Sequence, residues 1–131
     1  MIKVNVSDLS GHALDWAVAQ VEGVTYNRHY LSVSDFSGPE PVYTYISNYS
    51  PSTDWSKGGP LIAKYQMDLT FERTGLVYSY RCGDDGLPAI PPHVECYGSF
   101  GETHLIAVCR AICAEKLGAE IEVPDELLKK A

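Results

Sequence analysis

Two rhythms of apolar residues run along this chain, one of period two and one of helical spacing, and they alternate from end to end. Ile2, Val4 and Val6 alternate with Lys3 and Asn5, which predicts a short strand. In LSGHALDWAVAQVEG the rhythm changes: Leu14, Ala17, Val18 and Val21 fall on one helical face. Ser10 stands where an N-cap belongs, and Gly23 supplies the left-handed residue that closes a helix. Tyr30 to Val33 and Val42 to Ile46 read as strands on either side of a turn built from Gly38, Pro39 and Pro41.

The stretch from Ser50 to Ile62, SPSTDWSKGGPLI, is dense in local signals. Ser50 and Pro51 fit a cap and a first helical position, and Gly58 fits the stop of a single helical turn carrying Asp54 and Trp55. Beyond it Met67, Leu69 and Phe71 alternate along one strand, and Leu76, Tyr78 and Tyr80 stand opposite Val77, Ser79 and Arg81 along the next, with RTG between them, the clearest hairpin signal in the chain. Gly83 to Gly101 reads as loop, with a short extended stretch around Val94 to Tyr97. In THLIAVCRAICAEKLG, Leu105, Ile106, Cys109, Ile112 and Cys113 form an apolar helical face between the cap Thr103 and the closing Gly118. Ile121 and Val123 then alternate with Glu120 and Glu122 up to Pro124, and DELLKK makes a frayed final turn.

These elements predict an α+β fold: a single domain over residues 1–131, with an antiparallel sheet from the central Tyr and Val segments and two main helices packed on one face. Leu14, Trp16, Val18, Leu105, Ile106, Cys109 and Ile112 should lie in or beside the core, with the loops around Pro39, Gly58 and Pro91 outside it. At 131 residues the chain can bury a sizeable core without a metal or disulfide staple.

The net charge of −7 argues against a broad duplex-binding surface, because nonspecific binding needs clustered Lys and Arg to displace counterions from phosphates. No apolar stretch approaches the length of a bilayer span, and no N-terminal stretch reads as a secretion signal, so the expected setting is the cytoplasm. Reduced, packed thiols are then the expected state of Cys82, Cys96, Cys109 and Cys113.

Three ordered segments resemble the small NinX-like proteins of lambdoid bacteriophages and prophages. The first is LSGxxLDWAVA, carried by Leu9, Ser10, Gly11, Leu14, Asp15, Trp16, Ala17, Val18 and Ala19. The second is TDWxxGGPxI, carried by Thr53, Asp54, Trp55, Gly58, Gly59, Pro60 and Ile62. The third runs through Thr103, Leu105, Ile106, Ala107, Arg110, Lys116, Gly118, Glu120, Glu122, Val123 and Pro124. Such proteins tend to carry Pro after the third motif's threonine, where this chain has His104; the preset helical φ is lost, but Thr103 can still cap. The resemblance covers about a third of the residues, and its specificity lies in the order and separation of the segments. It implies a cytoplasmic accessory protein encoded among phage genes near replication and recombination functions. It carries over no site residue.

Lys57 to Pro60 could form a small anion nest of backbone N–H groups beside an ammonium, but it departs from the phosphate-loop pattern, and a helix stop explains both glycines. Asp15 and Asp54 each precede a tryptophan and would make a metal or acid–base pair only if their elements met; otherwise each Trp anchors the core while its Asp stays wet or caps a turn. His93, Cys96, Cys109 and Cys113 make a zinc-like spacing, yet the last two share the apolar face a core needs. His12 and His104 sit in the first turns of their helices, where the dipole disfavours a charged ring. Nine tyrosines, some near cations as in Arg28, His29, Tyr30 and in Tyr78 to Arg81, suit either base stacking or a protein interface.

The resulting expectation is a non-enzymatic module that binds a protein partner, with Asp54, Trp55, Lys57, Gly58, Gly59, Tyr80 and Arg81 as candidate binding residues. No catalytic residue, cofactor or resident metal is assigned. The rival readings are a small enzyme acting on nucleotides or nucleic acid through Asp15, Asp54 or His104, and a single-strand binder using Tyr80 and Arg81. A homodimer is the default oligomer if one forms.

Overall fold

The computed structural model describes residues 1–27, 30–81 and 98–128. Strand β1 (Ile2–Asn5) leads through a 3-10 turn into helix α1 (Gly11–Glu22). Strands β2 (Thr25–Asn27), β3 (Ser32–Asp35) and β4 (Val42–Tyr45) follow, then helix α2 (Trp55–Lys64) and strands β5 (Met67–Arg73), β6 (Leu76–Arg81) and β7 (Gly98–Gly101). Helix α3 (His104–Leu117), strand β8 (Glu120–Val123) and a 3-10 turn at Asp125–Leu127 complete the order.

The α+β class holds, and all described pairing is antiparallel. The strands divide among three small sheets, β1–β8, β2–β3–β4 and β5–β6–β7, rather than gathering in one. The hairpin across RTG forms as its alternation predicts, with Gly75 at φ +80 in the turn, where a side chain would be strained. The two extended segments at the ends of the chain pair with each other, Ile2 opposite Val123 and Asn5 opposite Glu120. Strand β7 lies at the end of a stretch that reads as loop: GSFG has no alternation, and it is a strand because β6 and α3 enclose it.

Helices α1 and α3 pack on each other, and α3 also covers the β5–β6–β7 sheet. Leu14, Val18, Val108, Cys109 and Cys113 are wholly enclosed between them, and Trp16 keeps 8% of its surface. The close approach of α3 to β7 depends on Gly101, where a Cβ would stand 2.4 Å from the backbone nitrogen of Ala107. Thr103 caps α3 through its hydroxyl oxygen, which accepts from the Ile106 N–H at 3.2 Å; Gly23 and Gly118 close α1 and α3 at positive φ.

Helix α2 corrects the reading of Ser50 to Ile62. Ser50 and Pro51 begin a single turn, closed by the Asp54 N–H donating to the Ser50 carbonyl at 2.8 Å, and a separate ten-residue helix starts at Trp55 and continues through Gly58, Gly59 and Pro60. Gly58 is no stop and lies in no outer loop; it is buried, with Pro51 and Leu105 pressed against it. Tertiary contact overrides the helix-breaking propensity of Gly-Gly-Pro. The loops around Pro39 stay exposed as expected, whereas the surroundings of Pro91 lie outside the described residues.

Candidate functional site

Asp54 is the N-cap of α2: its Oδ1 accepts from the Ser56 hydroxyl at 2.7 Å and from the Ser56 N–H at 2.9 Å. These bonds hold its carboxyl below the ordinary aspartate range, with the nearby Lys57 ammonium acting in the same direction. The anchored cap fixes the first residue of the helix, Trp55, at the surface. Trp55 is 57% exposed, so this tryptophan does not anchor the core as Trp16 does.

The indole of Trp55 lies 6.2 Å from the ring of His104 at the start of α3, and His104 stacks at 6.0 Å and 12° on Phe71 of β5. Phe71 is 60% exposed. Three elements therefore contribute one outward aromatic row, with His104 half-buried at its centre. Gly59 lies below the indole, its would-be Cβ at 3.6 Å from Trp55 Cε3.

Lys57 falls on the opposite side of α2 from Trp55. It shares a stripe with Leu61 and Lys64, which lines a cleft of about 380 Å³ against β3 and β4. Its ammonium donates to the backbone carbonyl of Asn48, and Lys64 pairs with Glu22 at 2.5 Å. The anion nest does not form: the N–H groups of Lys57 and Gly58 both donate to the Asp54 carbonyl, at 3.1 and 2.8 Å.

Tyr80 and Arg81 stand apart from the aromatic row. Arg81 lies opposite Met67, and Phe71 opposite Val77, so roughly 13 Å of strand separates them. The Arg81 guanidinium is paired with Glu115 of α3, while Tyr80, on the other face of β6, has its ring 5.9 Å from Tyr78. The seven candidate residues thus occupy different places, with Asp54, Trp55 and Gly59 together at the head of α2.

Asp15 does not stay wet. It is buried to 2% exposure, and its Oδ1 accepts from the Ser52 N–H at 2.9 Å. Burial pushes its carboxyl above the usual range, against the bonding to Ser52 and the fields of His12 and Lys57. With Asp15 bound to Ser52 and Asp54 to Ser56, the two carboxylates serve separate backbone segments rather than one pair. Among the described residues no group of three or more His, Cys, Asp or Glu could hold a metal ion. Of the zinc-like set, Cys109 and Cys113 are fully buried, and His93 and Cys96 lie outside the described residues, as do Arg28 and His29 of the tyrosine–cation clusters.

Sequence reasoning finds Trp55 but misses Phe71 as its companion. Phe71 continues the alternation of Met67 and Leu69, yet it is 60% exposed where Met67 is buried, because it meets only the first residue of α3. Only the fold brings it to His104.

Among the described residues no helix is long and apolar enough to cross a membrane. No curated protein matches the chain. A family model described as "Bacteriophage P22, NinX" matches residues 5–116, which takes in α1, α2, all of α3 but Leu117, and the aromatic row. The chain therefore belongs to the phage NinX family.

Proposed function

We propose that this phage protein is a single-domain, non-enzymatic accessory factor of the host cytoplasm that binds a protein partner through the row Trp55, His104 and Phe71, with Asp54 at its rim. The observation that carries this reading is the exposure of Trp55, 57%, on a rigidly capped helix start. Leaving an indole and a phenyl ring in water forgoes about 25 cal/mol for each Å² they could bury. Interfaces concentrate their binding energy in such aromatic anchors. The acidic balance of the chain favours a protein over nucleic acid as the occupant.

The test is capture from lysate of phage-infected or prophage-induced cells with wild type, Trp55→Ala and Phe71→Ala, each checked for unchanged thermal unfolding. Loss of the same stoichiometric, nuclease-resistant protein in both variants is the expected outcome. Retention of every partner by both folded variants refutes the reading.

A further inference from the structure

Strand β4 is an edge of the β2–β3–β4 sheet, and its sequence VYTY carries no charge. Val42, Tyr43 and Tyr45 are 58%, 69% and 65% exposed, and Phe36 packs edge-on against Tyr43 at 6.3 Å. Edges are kept from pairing by lysines, bulges, prolines or short length. Strand β4 carries no charge or bulge, and its four residues follow Pro41.

The hydrogen-bond pattern says which groups face outward. The Ile46 N–H donates to the Leu31 carbonyl at 2.6 Å, and Thr44 lies opposite Val33 with Val42 opposite Asp35. Bonded pairs alternate in an antiparallel ladder, so Val42 and Thr44 turn their backbone towards β3. Tyr43 and Tyr45 then turn theirs to the open edge. The Tyr45 carbonyl already accepts from the N–H groups of Asn48 and Tyr49, at 2.8 and 3.0 Å. Among the described residues, what remains is the N–H and carbonyl of Tyr43, the N–H of Tyr45 and, one step upstream in the same alternation, the carbonyl of Pro41.

We propose that a second copy of this chain covers that edge, β4 pairing antiparallel with its own copy about a two-fold axis at Tyr43. In this register the two Tyr43 residues exchange both backbone bonds, and each Tyr45 N–H reaches the Pro41 carbonyl of the other copy. Pro41 has no N–H to offer, and the Tyr45 carbonyl opposite needs none. Every open donor on the edge meets an acceptor. The two Tyr43 rings become cross-strand neighbours on one face.

Charge along the strand permits this occupant. A chain of net charge −7 repels its own copy wherever its acids lie, and a charged partner finds nothing to pair with along PVYTY. Glu40, the nearest acid upstream of the strand, falls opposite apolar Ile46 of the other copy, so no like charges meet. The interface is isologous, and the two sheets join into one of six strands.

Sedimentation of the full chain over about a hundredfold concentration range should show the mass pass from one copy to two. Tyr43→Pro removes the outward N–H together with the ring, and Tyr43→Ala the ring alone, so association should weaken at least tenfold in the first and less in the second. Under mild oxidation Tyr43→Cys should cross-link to itself faster than Thr44→Cys, because residues directly opposite lie about 5.5 Å apart at Cα, within reach of a disulfide, whereas 44 is offset from its own copy. A protein that stays single throughout overturns the proposal, as does a dimer unchanged in folded Tyr43→Pro. If Tyr43→Pro does not fold, the cysteine pair decides: equal rates of cross-linking overturn the register.

Discussion

The carboxylate of Asp15, on α1, holds the backbone N–H of Ser52 at 2.9 Å, with both residues out of water. This bond ties the turn before α2 to the helix pair at the centre of the protein. The turn in turn supports α2, since Pro51 is the residue against which Gly58 rests.

Asp15 should therefore respond to pH in the sense opposite to an exposed, salt-bridged aspartate. Its folded-state pKa is raised by burial, so its contribution to stability is fully present below the unfolded value of roughly 4 and is lost as pH rises through the raised one. Asp15→Asn, which keeps an acceptor for Ser52, should gain on wild type in urea unfolding as pH rises above about 4. Asp15→Ala should lose about 1–3 kcal/mol, because it leaves the buried Ser52 N–H without a partner. A wild-type advantage over Asp15→Asn that grows with pH would contradict this.

The adjacent glycines of α2 should respond to alanine with opposite signs. At Gly58 a Cβ would meet the Pro51 carbonyl oxygen at 2.1 Å, a backbone atom that no rotamer change can move. Gly58→Ala should cost about 1–3 kcal/mol through overpacking, more than the helix propensity it gains. At Gly59 the nearest atom is 3.6 Å away, so Gly59→Ala should stabilise by about 0.5–1 kcal/mol. Thermal unfolding of the two variants side by side reads both signs.

Arg110 spans two elements from α3: its Nε donates to the Leu9 carbonyl at 2.8 Å and its Nη1 to the Phe100 carbonyl at 3.1 Å. A lysine ammonium cannot reproduce this fork. Arg110→Lys should cost about 1–3 kcal/mol in urea unfolding, close to Arg110→Ala. A lysine variant as stable as wild type would show that the fork contributes nothing.

Cys109 and Cys113 should resist alkylation while the protein is folded. Burial pushes both thiols up, Cys113 to about 12, so thiolate is scarce near neutral pH as well as enclosed. Peptide mass spectrometry after iodoacetamide treatment should find these two unmodified in native protein and modified in urea. Labelling of either without urea would place it at a surface.

Helices α1 and α3 and the β5–β6 hairpin were legible because their signals are local: a face repeated every turn, a cap, a closing glycine, two alternating runs around Gly75. The division into three sheets was not, since the pairing of β1 with β8 depends on residues from opposite ends of the chain. Helix α2 was misjudged because Gly-Gly-Pro speaks against a helix in isolation, while contact with Pro51 and Leu105 requires a residue without a side chain there. Asp54 and Trp55 stood out in the sequence. Their surroundings did not, because His104 and Phe71 reach Trp55 only through the packing of α3 and β5.

The pairing of Ile2 with Val123 also sets an order of events at the ribosome. Strand β1 emerges before β8 and waits for its partner until all of the matched family region has been synthesised. The entropic cost of closing so long a loop grows only as the logarithm of its length, so a folded interior can hold the two ends near each other before they join. The β5–β6 hairpin can form while later residues are still in the exit tunnel, whereas β1–β8 is a seam that closes only after β8 has emerged. Until that seam closes, the backbone of β1 is without the partner that β8 supplies.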